Sequence, residues 1–138
     1  MAYSGNPYKG GQPCNFTAKA ENDLSAKQYF LVEISGDAQV DVVDAAPTQV
    51  CAGVLQNKPE ANEWAEVCPL GVTPVKVGGA VTAGDKIYCG SGGWALSCST
   101  TGSGKRTIGW VIEGASSGGQ AVAFVHCANA VANVTSVP

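Results

Sequence analysis

The chain has 138 residues, a formal net charge of −3, 45% apolar and 14% charged residues, and 18 glycines with 7 prolines. A single domain of this size removes about two-thirds of the extended chain's surface from water, and so high an apolar fraction excludes a disordered polymer. The scattered basic residues, with Lys105-Arg106 the only adjacent pair, exclude a nucleic-acid binder, and no apolar run of 18 residues exists to span a membrane.

Residues 1–27 read as an extended arm. Gly5, Pro7, Gly10, Gly11 and Pro13 break regular structure there. Tyr3, Tyr8, Cys14 and Phe16 are more anchoring groups than a solvated tail carries, so the arm is expected to dock, with Tyr3, Tyr8 and Phe16 as its contacts. The segment has no basic stretch followed by an apolar one, so synthesis in a cytosol is expected.

Short β-type runs follow. Tyr29–Ile34 predicts a strand with Phe30, Val32 and Ile34 on one face. Gly36-Asp37 turns the chain into Val40–Val43, and Val50–Leu55 is the next strand after Pro47. Trp64–Cys68 and Val72–Val77 flank Pro69-Leu-Gly71, and Ala80–Thr82 is a short piece between glycine turns. Ile87–Cys89 and Trp94–Leu96 read as a hairpin. Thr107–Glu113 and Ala121–Cys127 close the domain, and residues 128–138 read as a tail. Close-spaced short strands with turn signals predict a mainly β domain over 28–127, a compact antiparallel β-sandwich or small β-barrel.

No constellation for chemistry emerges. His126 is the single histidine, and the adjacent Cys127 points to the other face of a strand, so the pair cannot form an activated nucleophile. Glu60, Glu63 and Glu66, like Asp37, Asp41 and Asp44, lack the dense spacing of a calcium loop and read as solvated acids. Gly102-Ser-Gly-Lys-Arg106 lacks the glycine and hydroxyl positions of a phosphate loop. Trp94 and Trp110 lie inside apolar runs and are expected in the core, whereas Trp64, among acids and alanines, is expected at the surface. No catalytic residue, cofactor or metal is expected.

The six cysteines, Cys14, Cys51, Cys68, Cys89, Cys98 and Cys127, show no Cys-x-x-Cys spacing for zinc. Two readings stay open: buried small hydrophobes, or disulfides formed after release into an oxidising medium. A hairpin around Gly90-Ser-Gly-Gly93 would put Cys89 opposite Trp94 and Cys98 opposite Asp85. The two sulfurs would then lie roughly 13 Å apart along the strands, too far to bond.

The order of motifs from Gln28 to Cys127 resembles the capsid decoration, or cement, proteins of tailed bacteriophages. The matching pieces are Tyr29–Val32, Gly53-Val-Leu-Gln-Asn57-Lys-Pro59, Val75-Lys-Val77, Gly79-Ala-Val-Thr-Ala-Gly-Asp85, Ile108-Gly-Trp-Val-Ile-Glu-Gly-Ala115 and Val122–Val125. The resemblance implies a non-enzymatic protein of the virion, bound to the capsid exterior where major capsid protein subunits meet, and favours a homotrimer. The six cysteines and the long arm depart from that pattern. A secreted, disulfide-stabilised carbohydrate-binding module with Trp64 as its platform is the alternative.

Overall fold

The computed structural model describes residues 14–44, 51–98 and 107–127. Five strands, β1 (Phe16–Ala20), β2 (Leu31–Gly36), β3 (Gln39–Val42), β4 (Cys51–Leu55) and β5 (Trp64–Cys68), close into a barrel in the order β1-β3-β2-β4-β5. Five more, β6 (Leu70–Lys76), β7 (Lys86–Cys89), β8 (Ala95–Ser97), β9 (Thr107–Glu113) and β10 (Gln120–His126), form a sheet in the order β6-β10-β9-β7-β8. The expected β class is therefore met by both devices at once, a small barrel and a sheet packed on its flank. All pairings are antiparallel except β1 with β3.

Two apolar clusters hold the molecule together. The smaller fills the barrel with Ala18, Ala20, Leu24, Val32, Val40, Leu55, Ala65 and Val67. Five strands enclose little space, and the alanines on β1 and β5 suit so narrow an interior. The larger lies between barrel and sheet. It joins Leu31, Val54 and Cys68 to Val75, Ile87, Val111, Ala123 and Val125.

Strands β2, β4 and β5 serve both clusters, because neighbouring strand residues face opposite ways. Val32, Leu55 and Val67 point into the barrel, while Leu31, Val54 and Cys68 point at the sheet. Unbroken apolar runs such as Phe30-Leu-Val32 and Val54-Leu55 are the sequence trace of burial on both sides. Polar links also cross the seam, one of them through side chains of β6 and the end of β4. The Gln56 side-chain amide donates to Thr73 Oγ1 at 2.8 Å, and the fully buried Thr73 hydroxyl donates to the Pro74 carbonyl at 3.0 Å.

Several expectations change. The arm boundary at residue 27 gives way, because Phe16–Ala20 is a barrel strand paired with β5 and β3. Phe16 packs beside the barrel cluster, and Leu24 is buried within it, so residues 14–27 belong to the β body. The apolar-polar alternation of Phe16-Thr-Ala-Lys-Ala20 carries the strand signal, but alanine is a weak strand former and hides it. Tyr3 and Tyr8 lie outside the described residues, as do Gly102-Ser-Gly-Lys-Arg106 and residues 128–138.

Ile34 is 58% exposed rather than part of one face with Phe30 and Val32. The β2–β3 register shifts between Ile34 and Gly36, at the end of β2 beyond both clusters. The hairpin register also differs: Cys89 pairs with Ala95, and the Cys98 amide donates to the Lys86 carbonyl. A short 3-10 turn at Ser91–Gly93 lengthens the connection by one residue and turns Cys98 away from the Cys89 face.

Gly109 marks where the sheet is tightest. A methyl group there would collide with the Phe124 carbonyl oxygen of the neighbouring strand. Gly109→Ala is therefore expected to lower the melting temperature by several degrees, and Leu31→Ala to cost about 2–5 kcal/mol. Urea unfolding followed by tryptophan fluorescence measures both. A Leu31→Ala loss under about 1 kcal/mol would contradict a tightly packed seam.

Candidate docking surface

The sheet's inner face belongs to the core, and its outer face is apolar too. Register places Val72, Phe124, Trp110 and Lys86 in one row across β6, β10, β9 and β7. The Trp110 and Phe124 rings stack at 5.0 Å with 26° between their planes. Trp110 remains 48% exposed, and Ile112, two residues on, is 41% exposed. The expectation that Trp110 is a core residue is thus overturned.

The physical reason is local. The β7–β9 register shifts between Ile87 and Tyr88, so Ile108 is the extra residue and turns inward. Gly109, paired with Ile87, and Val111 then take the inner positions, which leaves Trp110 and Ile112 outside. Lys86 beside Trp110, and Thr107 and Glu113 at the two ends of β9, are exposed polar neighbours. Exposed apolar side chains grouped in this way mark association surfaces more often than scattered ones do.

The other tryptophans behave as expected only in part. Trp64 is 57% exposed, but Lys19 Nζ sits 4.8 Å from its ring centroid and caps one face. Trp94 is half-buried, edge-on to Phe30 at 4.7 Å.

A recess lies at the junction of barrel and sheet. It is an open cleft of about 240 Å³ bordered by Ser25, Gln28, Tyr29, Lys58, Lys76 and Gln120. Tyr29 has a positive φ of 71°, a conformation that costs a bulky residue energy. Two backbone bonds hold it: its amide donates to the Leu55 carbonyl at 2.7 Å, and its carbonyl accepts from the Lys76 amide at 2.9 Å. The second of these bonds joins barrel to sheet.

The acids act as surface anchors. Asp41 accepts from the Asn22 amide at 2.9 Å, Glu63 from the Glu60 backbone at 2.8 Å, and Glu66 from Asn15 at 3.2 Å. His126 and Cys127 fall on opposite faces; Cys127 is in the core, and His126 Nδ1 is buried without a hydrogen-bond partner. Among the described residues no group of three or more His, Cys, Asp or Glu side chains is placed to hold a metal ion.

The cysteines divide by position. Cys14 is exposed and Cys98 half-buried, whereas Cys51, Cys68, Cys89 and Cys127 are buried. No pair stands at bonding distance; the Cys51 and Cys127 sulfurs are 3.4 Å apart. Burial pushes the Cys68 thiol up to about 11. Hydrogen bonds with Cys127 and Cys89, together with burial, hold the Cys51 thiol well above its ordinary value.

Comparison with known proteins decides the family. The profile of phage cement proteins matches residues 8–126, nearly the whole chain. The chain belongs to the phage cement protein family. Membership makes it a structural protein of phage capsids. Its fold is similar to the crystal structure of the head fiber gp8.5 N base of bacteriophage phi29, with a TM-score of 0.61 and 24% identity over 80% of this chain and 92% of that one. No curated protein matches.

The raised thiols give this family member an alkaline weakness. An unfolded Cys68 ionises near 9.0, while the folded thiol keeps its proton to about 11. In that window the unfolded chain binds fewer protons, so the stability of the reduced protein falls as pH rises from about 9 to about 11. Urea midpoints at pH 8 and pH 10.5 test this, and Cys68→Ala is expected to remove part of the drop.

Proposed function

We propose that this chain is a non-enzymatic capsid cement. It binds the outside of an assembled shell as a homotrimer, where major capsid protein subunits meet, and stabilises their contacts. It is made in the host cytoplasm and works in the virion. The observation that carries this reading is the family match over residues 8–126. The outer sheet face with Trp110, Phe124 and Ile112 supports it by offering an association surface on a rigid body.

The physics of such a role is simple. A protein that binds only the assembled shell stabilises it by mass action, about 2.7 kcal/mol per site at a hundredfold excess over Kd. Many symmetric sites multiply a modest affinity. A closed barrel braced by a sheet loses little conformational entropy on docking. Large aromatic side chains dominate the binding energy of protein interfaces, and the Trp110–Phe124 stack is already ordered before contact.

The carbohydrate-binding alternative has less to stand on. It needs an open ring face at Trp64, and Lys19 covers one side of that ring.

Two variants test the proposal on emptied capsids, with bound protein measured by co-sedimentation. Trp110→Ala with Ile112→Ser is expected to weaken binding by roughly 30-fold or more, as loss of an aromatic hot spot does, while the melting temperature changes little. Unchanged binding would place docking on another face. Deleting residues 1–13, which spares strand β1, tests Tyr3 and Tyr8. The arm reading expects weaker binding from a body that remains folded. Native mass spectrometry is expected to give three copies; a monomer at micromolar concentration would leave assembly to the shell.

A further inference from the structure

Three thiols meet at one end of the seam between barrel and sheet. Cys51 opens β4 of the barrel, Cys89 closes β7, and Cys127 follows β10. All belong to the larger core cluster, with exposures of 3%, 5% and 1%. The Cys51 and Cys127 sulfurs are 3.4 Å apart, although 76 residues separate them in the chain. Cys127 is held there by its backbone, since its amide donates to the Pro69 carbonyl at 2.8 Å.

We propose that Cys51 and Cys127 are the site of an oxidative staple that bonds the barrel to the sheet's second strand once the protein meets an oxidising medium. A disulfide needs its sulfurs at about 2.0 Å, so closing this pair takes a shift of about 1.4 Å. Nothing else covalent crosses the seam among the described residues except the chain itself at Pro69, between β5 and β6. The bond would therefore tie the end of β10 to the start of β4 beside that crossing, where the Cys127 amide already meets the Pro69 carbonyl. The staple draws on the capsid reading only for its setting, release from a reducing cytosol into an oxidising exterior.

The chemistry is thiol–disulfide exchange with a small disulfide such as oxidised glutathione. The Cys51 thiolate attacks one glutathione sulfur, the glutathione disulfide bond breaks, and a glutathione thiolate leaves. The Cys127 thiolate then attacks the Cys51 sulfur of the mixed disulfide and expels the second glutathione. Two protein thiols lose two protons and two electrons, and one glutathione disulfide becomes two glutathiones. Exchange requires a thiolate. Burial and the neighbouring thiols keep Cys51 protonated, so the folded interior resists the reaction. The bond forms as β10 folds into place or when its end opens.

The test uses the full chain and no capsid, so its failure leaves the docking proposal untouched. Reduced protein is incubated with oxidised glutathione at pH 8, a few degrees below its melting temperature. Free thiols are then blocked with iodoacetamide, and non-reduced peptides are mapped by mass spectrometry. The expected result is one internal link, Cys51–Cys127, and a melting temperature raised on the order of 10 °C, reversed by dithiothreitol. Cys14→Ser and Cys98→Ser keep both effects, whereas Cys127→Ala abolishes the rise. Six alkylated thiols, or a link between Cys51 and Cys89 instead, would overturn the proposal; the peptide map of the unmodified chain decides this even if Cys127→Ala fails to fold.

Discussion

Burial of β2, β4 and β5 on both faces is the constraint on which the rest depends. Each of these strands places one row of side chains in the barrel and the next against the sheet. The barrel cannot therefore loosen without disturbing the seam, and the seam cannot separate without exposing the barrel's flank. Five strands alone enclose too little apolar surface for comfort, and the sheet makes up the difference. The Gln56–Thr73 hydrogen bond and the backbone bond from Lys76 to Tyr29 add directional order to a contact that hydrophobic burial leaves free to slide.

That arrangement frees the far side of the sheet. Because β6, β9 and β10 fill the seam with their inward rows of Val75, Val111, Ala123 and Val125, their outward rows are not needed to close it. Trp110, Phe124 and Ile112 occupy them nonetheless. Such a face is costly in water and useful against a partner, which fits a family of structural capsid proteins. Beside the close approach of β9 to β10 at Gly109, the Trp110 and Phe124 rings stack on the outer face.

The cysteines follow the same geometry. Four of the six lie in positions that strand alternation turns inward, where a thiol packs as a small apolar group. Three of them converge because β4 begins, and β7 and β10 end, at one corner of the seam. Burial therefore accounts for the reduced protein, and proximity for its potential to oxidise, without contradiction between the two.

Much of the fold was legible in the sequence. Glycine and proline punctuation located the strands, and Thr107–Glu113 was found to the residue. The ordered motifs pointed to the cement family, which the match over residues 8–126 establishes. Strand β1 escapes because its alternation runs through alanines, and Trp110 lies outside because one inserted residue at Ile108 turns it outward. Composition and local pattern by themselves determined that this chain is a small, mainly β protein. Only the tertiary structure decided which apolar residues remain at the surface and which thiols meet, because bulges, strand register and contacts across 76 residues are settled by packing between elements rather than by any segment's own preference.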